Sequence, residues 1–499
     1  MPTAPRFAER DKAGQPKEMA DDTPSEKQQE TTLGGEPELE SGPKGKGTKK
    51  VAAKTPRGTR DFHPADMRAR SAAIAIISRV YERHGAVQIE TPTFELTEVL
   101  NGKYGDEGQG LIYNLERKNE SHEALSLRYD LTVPFARYLA THNIATMKRY
   151  QLGRVFRREE TCASRGRYRE FYQCDFDYAG RTAPMVADAE CIAIMVEQLE
   201  ELGLAPFVVK VSDRALLEVL LERCGVPPAQ RRTVCSSIDK LDKQSWETVR
   251  AELVNSKGVD AGAAAQIGRF AEIRGSPRDV LAKVREFLGA AAPAGPEAGR
   301  CRPLEEMELL AGYLECLGCA SRVQFDLSLA RGLDYYTGVV FEAVHTGGGS
   351  VGSLAGGGRY DNLLGIFRGG PPVPAVGFAL GIERIFDLFG KRAAQEAQLP
   401  ASDVLVISIG GFVAEKLGAC RRLWAAGIRA EPEYLDLANP GKRIGEAGAQ
   451  HIPIVAIIGA EEAAAGTVRV KRLETREQAT IPVAELPAFV AKILTGDTR

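Results

Sequence analysis

The sequence predicts an α+β body built on β-hairpins, interrupted by a helical insertion and followed by a small C-terminal α/β domain. Three observations predict it. Strand-like stretches at 148–177 and from 323 onward alternate side chains with a period of two. Residues 214–322 between them turn to alanine-rich, charged helical text. After a break near 399–403 the chain alternates β-α-β-α-β, with apolar strands that suit a sheet covered on both faces. A chain of 499 residues also exceeds one typical core.

Composition narrows the function classes. Hydrophobic residues make up 43%, ordinary for a packed protein, and a net charge of −2 from 65 Lys and Arg against 67 Asp and Glu rules out a global basic field. A nucleic-acid partner must therefore be met by local patches. No apolar run approaches the ~18 residues that span a bilayer, so no membrane partner is expected, and no secretory leader is seen. The nine cysteines are scattered; Cys316 and Cys319 form a C-x-x-C without a second pair or a nearby His, so they read as reduced intracellular thiols rather than a zinc site.

In chain order, residues 1–50 hold one Phe, two Leu and no Ile, Val, Tyr, Trp or Cys, so a disordered, charged extension is expected. Lys44, Lys46, Lys49, Lys50 and Lys54 form a basic run that reads either as a solubilising linker or as a trailing contact to a nucleic-acid backbone. The acidic Glu9, Asp11 and Glu18 speak against a mitochondrial leader. Pro64 suits a first helical turn, and Met67, Ile74, Ile77 and Tyr81 continue a helix through Glu82. A short strand with Val87 and Ile89 on one face ends before Pro92. This helix and strand fit a subunit interface and equally a helix packed on its own sheet.

Leu125, Leu127 and Tyr129 alternate, Asp130 and Thr132 follow on the opposite parity, and Val133–Ala140 is helical. Polar groups at a strand end serve as ligand contacts or as helix caps. In KRYQLGRVFRREETCASRGRYREFYQCDFD (148–177) the first strand puts Val155, Arg157 and Glu159 on one face. The second puts Phe171, Gln173, Asp175 and Asp177 on one face and Tyr172, Cys174 and Phe176 on the other. A guanidinium, an aromatic ring, an amide and carboxylates together suit an anionic phosphate, a flat base and a small polar substrate; the competing reading is a salt-bridged surface hairpin.

A helix at 185–202 and a strand at 207–211 precede the insertion. The body resumes with Val323, Phe325, Leu327 and Leu329, a turn carrying Arg331, Gly332 and Asp334, and a strand from Val339. Gly356–Gly358, before Arg359 and Tyr360, is either flexible or a place where backbone approaches a ligand closely; no G-x-x-x-x-G-K-[ST] phosphate loop is present. A strand through Phe378 leads into a helix whose first turn holds Arg384, aimed at an anion or simply exposed.

The stretches IETP, FRREE with REFYQ, and ALGIERI, together with LARGLDYYTG and AGGGRYDNL, are similar over residues 56–499 to the histidyl-tRNA synthetases, a class II aminoacyl-tRNA synthetase family. The resemblance implies an α+β catalytic core on a mainly antiparallel sheet, in two parts at 56–213 and 323–398, the helical insertion at 214–322, and an anticodon-binding α/β domain at 403–499. It implies ATP and L-histidine as substrates, Mg2+ on the phosphates, tRNA(His) held through its acceptor end and anticodon, a homodimer and a cytoplasmic enzyme, with a mitochondrial share left open.

Position by position, the resemblance gives Arg157 the α-phosphate of ATP, Glu159 the adenine amino group and Phe171 the adenine face, while Arg384 would cover the base and reach the γ-phosphate. Arg331 would hold the α-phosphate and the histidine carboxylate, making Arg157, Arg331 and Arg384 the catalytic set. Asp130, Thr132 and Gln173 would surround the α-amino group, and Asp177, Tyr335, Tyr336 and Tyr360 the imidazole. The loop Arg165, Arg167, Arg169 would meet the tRNA end. In-line attack on phosphorus needs such positive groups and no protein nucleophile. The rival expectation is a catalytically inactive regulatory or sensor protein of the same fold; a ligase for another amino acid is opposed by the two histidine signatures.

Overall fold

The helix Pro64–Arg83 opens the folded body, with Pro64 in its first turn and the Asp66 carboxylate accepting from the His63 backbone N–H at 3.2 Å. Its buried residues Ala73, Ile77, Val80 and Tyr81 fall on one stripe at helical spacing. Tyr81 fixes the stripe to the sheet: its ring stacks on Phe176 at 5.6 Å, and its hydroxyl donates to the Cys174 carbonyl at 2.8 Å. The helix therefore covers the sheet face that carries Cys174 and Phe176.

The computed structural model describes residues 53–104, 108–116, 123–162, 166–289, 302–330, 335–347, 352–396 (side chains to 389), 400, 402–435 and 439–495. The expected extension at 1–50, Arg165 and the expected turn from Arg331 to Asp334 lie outside these residues. Thr55–Arg499 clusters as one unit by its internal contacts.

Among the described residues a nine-stranded sheet forms the body. Across it the strands run Val87–Gln88, Met147–Phe156, Glu170–Ala179, Ala375–Gly381, Ser353–Arg359, Val339–His345, Phe207–Asp213, Val323–Asp326 and Arg274–Gly275. Pairing is antiparallel except between the first two strands and between Phe207–Asp213 and Val323–Asp326. The hairpin at 148–177 lies inside this sheet rather than on the surface. Its register sets Arg149 opposite Asp177, Gln151 opposite Asp175 and Val155 opposite Phe171.

The neighbouring strand makes room beside the polar face of the hairpin. Gln173, Asp175 and Asp177 stand opposite Gly381, Ala379 and Gly377, and the next strand adds Gly356 opposite Ala379. Small residues leave a depression over the sheet that larger ones would fill. Gly357 and Gly358 do not serve that depression. A Cβ on Gly357 would lie 2.2 Å from the Gly377 carbonyl oxygen, and one on Gly358 2.6 Å from that of Val339, so glycine there answers to close strand packing. Only Gly356 of the run meets the cavity.

Other elements differ in extent. The strand after Ala124 is Leu125–Leu127, and Tyr129 and Asp130 belong to the turn before the helix Thr132–Thr141. The strand leading to Arg384 continues past Phe378 to Gly381. The described residues of 214–322 are mainly helical, with one short strand, Arg274–Gly275, that pairs back onto Val323–Asp326. The C-terminal stretch forms a separate five-stranded sheet in the order Ala430–Pro432, Val404–Ser408, Ile454–Ile458, Thr467–Arg472, Gln478–Pro482. Its first three strands are parallel and the last two antiparallel, so the β-α-β-α-β pattern ends in an additional hairpin.

Candidate active site

A cavity of about 250 Å³ opens over the small-residue floor. Asp130, Thr132, Arg157, Glu159, Arg167, Phe171, Gln173, Tyr335, Tyr336, Tyr360 and Arg384, all singled out in the sequence, line it. They come from stretches more than two hundred residues apart, which the sheet order makes neighbours. Arg169 turns away: its side chain donates to the Glu159 carbonyl at 3.3 Å and its backbone N–H to the Gly58 carbonyl at 2.8 Å.

One end of the cavity is basic. The Arg157 guanidinium sits 4.3 Å from the Tyr129 ring centroid and 5.1 Å from that of Phe171, and its Nε donates to the Tyr129 carbonyl at 3.1 Å. Stacking between two rings and a carbonyl tether hold it in one direction. Arg384 donates to the Ser353 carbonyl at 2.6 Å. Burial, then the nearby Arg167 and Arg157, push its guanidinium below the ordinary arginine range, a situation an incoming anion relieves. Gly166 lies against it with φ +61°; a Cβ there would come within 2.8 Å of Arg384 Cγ. The Glu159 carboxylate stands 3.9 Å from Arg157.

The helix carrying Arg384 is held through its neighbour Glu383, whose carboxylate accepts from Arg60, from Arg70 at 2.9 Å and from the Tyr172 backbone N–H at 3.2 Å. Arg70 comes from the first helix and Tyr172 from the hairpin, so one buried carboxylate ties three elements together.

The other end is acidic and aromatic. Asp130 Oδ1 accepts from the Tyr104 hydroxyl at 2.9 Å and the Val133 backbone N–H at 3.1 Å, and Oδ2 accepts from the Tyr335 hydroxyl at 3.0 Å. It is both a helix cap and a cavity residue. Burial pushes its carboxyl above the usual range, opposed by these donors. Asp177 lies behind the wall, absent from the lining: Tyr360 donates its hydroxyl to Oδ1, and Arg149 approaches Oδ2 at 2.6 Å, out of line for a hydrogen bond. The wholly buried Arg149 also donates to the Leu131 carbonyl at 2.9 Å and lies 4.5 Å from the Phe135 ring centroid.

Sequence pattern alone does not assign three residues of the site. Asp175 lines the cavity at 1% exposure, and burial drives its carboxyl well above the usual range although Arg149 opposes this. Its parity with Gln173 is the available signal. Tyr104 lies in text without periodicity, so nothing marks it. Glu383 reads only as an acidic residue in a first helical turn.

A family model described as histidyl-tRNA synthetase matches residues 58–385, and one described as anticodon binding domain matches residues 403–493. The chain is 42% identical over 456 residues to the cytoplasmic histidine–tRNA ligase of Dictyostelium discoideum, covering 91% of this chain and 93% of that protein. It is likewise 42% identical over 455 residues to the mitochondrial histidine–tRNA ligase of Bos taurus, covering 89% and 88%. Among solved structures it resembles a histidyl-tRNA synthetase from Nostoc sp. PCC 7120, with a TM-score of 0.72, 32% identity, and coverage of 89% of this chain and 100% of that one. The chain belongs to the histidyl-tRNA synthetase family.

Proposed function

We infer that the cavity activates L-histidine with ATP and that the histidyl group then passes to the 3′ end of tRNA(His). The observation that carries this reading is the cavity's polarity: Arg157, Arg167 and Arg384 converge at one end, and Asp130 and Asp175, beside Tyr335, Tyr336 and Tyr360, at the other. A triphosphate and an amino-acid ammonium group need such opposite ends within reach of each other. Activation joins the histidine carboxylate to the α-phosphate and expels diphosphate, so charge grows on phosphate oxygens while two anions approach. Arg157, fixed beforehand by stacking and its carbonyl tether, stabilises that charge without reorganising.

We assign the roles as the resemblance implies them. Arg157 takes the α-phosphate, Phe171 the adenine face, Glu159 the adenine amino group, and Arg384 leaves the Ser353 carbonyl for the outer phosphates. Arg331, outside the described residues, joins them by resemblance alone. Thr132 and Gln173 meet the α-amino group, and Asp130 is held facing it by its two tyrosine partners. Gln173 Oε1, buried without a hydrogen-bond partner, is free to accept there. Among the described residues no group of three His, Cys, Asp or Glu side chains is set to hold a metal. Mg2+ would enter with the nucleotide and screen its phosphate charge, with no one carboxylate of the cavity singled out as its ligand.

The catalytic core is divided at 56–213 and 323–398 around the 214–322 insertion, and the 403–499 sheet reads the anticodon. Arg167, which lines the cavity, meets the acceptor end, and Arg165, outside the described residues, joins it by resemblance alone. The enzyme acts in the cytoplasm, and the family includes mitochondrial members as well. Arg384→Ala tests the assignment: adenylate formation, followed by histidine-dependent pyrophosphate exchange, should fall on the order of 10² to 10³ with the fold retained. Exchange within about twofold of the unmodified enzyme would refute the role.

A further inference from the structure

We propose that Arg149, wholly buried behind the acidic end of the cavity, is a positioning residue for histidine binding. Its guanidinium offsets Asp175 and Asp177, so that both carboxylates stay ionised in the folded enzyme. The proposal rests on the histidine-activating reading of the cavity and adds a residue that acts on the substrate only through others. Asp130, Asp175 and Asp177 gather there, each no more than 2% exposed. Buried carboxylates left to themselves take up protons, and a protonated acid no longer attracts an ammonium group. Asp130 is held by three donors. The other two are less well served: Asp177 accepts from the Tyr360 hydroxyl at Oδ1, while its Oδ2 and Oδ1 of Asp175 are buried without a hydrogen-bond partner.

The compensating charge comes from the neighbouring strand. Register sets Arg149 opposite Asp177 and Gln151 opposite Asp175, so the guanidinium stands on the carboxylate side of the hairpin, its Nη2 2.6 Å from Asp177 Oδ2. The Leu131 carbonyl, accepting from Nη2 at 2.9 Å, and the Phe135 ring, its centroid 4.5 Å from Cζ, fix it there. Nε and Nη1 make no hydrogen bond, so Arg149 acts on the aspartates by charge, which a buried site leaves strong. Burial pushes both carboxyls up, and Arg149 is the strongest group pulling them back. Asp130 raises both; Arg157 lowers Asp175 from the basic end, and Tyr360 lowers Asp177 through its hydrogen bond. The Tyr336 and Tyr360 hydroxyls and the Cys191 thiol are themselves driven far up by burial, leaving the aspartates to set the response near neutral pH. One guanidinium against three carboxylates keeps this end net negative, as an ammonium group requires, whereas an ion pair that only braced the sheet would balance.

The test is the pH profile of kcat/KM for L-histidine in pyrophosphate exchange at saturating ATP, in the unmodified chain and in Arg149→Gln, which removes the charge and keeps a donor for the Leu131 carbonyl. Free histidine titrates identically in both, so a difference belongs to the enzyme. Without the guanidinium the carboxylates hold their protons to higher pH. The acidic limb should therefore move up by about one pH unit or more, and the histidine KM at about pH 7 should rise about tenfold or more and recover as the pH is raised, with the ATP KM within about twofold. Arg149→Lys, which keeps the charge, should return the limb to within about 0.3 pH unit of its original place. A residue that only braced the sheet would lower stability without moving the limb. An unmoved limb in folded Arg149→Gln, a parallel rise of both KM values, or Arg149→Lys shifted as far as Arg149→Gln would overturn the proposal. If Arg149→Gln does not fold, adding Asp175→Asn removes one charge of each sign; that double variant should fold and show the raised limb through Asp177, and its failure in either respect overturns the proposal as well. Absence of histidine exchange in the unmodified enzyme would instead overturn the underlying function.

Discussion

At the scale of single residues, the site is built from buried charges whose environment decides their state. Asp213 is a simple case outside the cavity: it caps the helix Arg214–Arg223 by accepting from the Leu216 backbone N–H at 2.7 Å, and burial pushes its carboxyl up to about 7. The folded chain therefore holds a proton on Asp213 that the unfolded chain, with an ordinary carboxylate, has already lost. Its contribution to stability is full below pH ~4, declines as the pH rises, and is gone once the pH passes about 7. Asp213→Asn keeps the cap and should remove a decline on the order of 2 to 4 kcal/mol between those limits. Urea midpoints measured across that range check it; a slope identical to that of the unmodified chain would contradict it. The same physics, burial opposed by donors, keeps Asp130 fixed by Tyr104, Tyr335 and Val133 rather than free to swing.

At the scale of elements, the hairpin Met147–Phe156 and Glu170–Ala179 and its neighbour Ala375–Gly381 position the chemistry. A period of two is the strongest pattern a strand can show, which is why the sorting of Phe171, Gln173 and Asp175 from Cys174 and Phe176 is legible in the amino-acid sequence alone. Arg384 at the start of a helix is legible for a similar reason. The glycine run is not: parity cannot tell a glycine facing a cavity from one pressed between strands, and only the backbone distances separate Gly356 from Gly357 and Gly358. Tyr104 and the burial of Asp175 depend on contacts made across long sequence separations, which local pattern does not encode. Because Gly357 has no room, Gly357→Ala should push the Ser353–Arg359 and Ala375–Gly381 strands apart and lower stability by about 3 kcal/mol. Chemical denaturation reads this directly, and an unchanged midpoint would show that the sheet yields more easily than its register suggests.

At the scale of the whole molecule, a balanced net charge is compatible with a nucleic-acid substrate because the basic groups are concentrated locally, as at Arg157, Arg167 and Arg384. The first helix and the segment after it leave the apolar side chains of Met67, Val87 and Phe94 between 43% and 52% exposed, and a second copy of the chain would cover such side chains. Sedimentation velocity at micromolar concentration should accordingly give the mass of a homodimer; a species of 54.0 kDa that persists and remains active would contradict it. Both family signatures, the basic and acidic ends of the cavity, and the separate C-terminal sheet converge on one reaction. The direct measurement is ATP–pyrophosphate exchange with each proteinogenic amino acid supplied singly to the unmodified enzyme. Exchange above background with L-histidine alone is the predicted result; exchange with none, or with another amino acid in its place, would contradict the account.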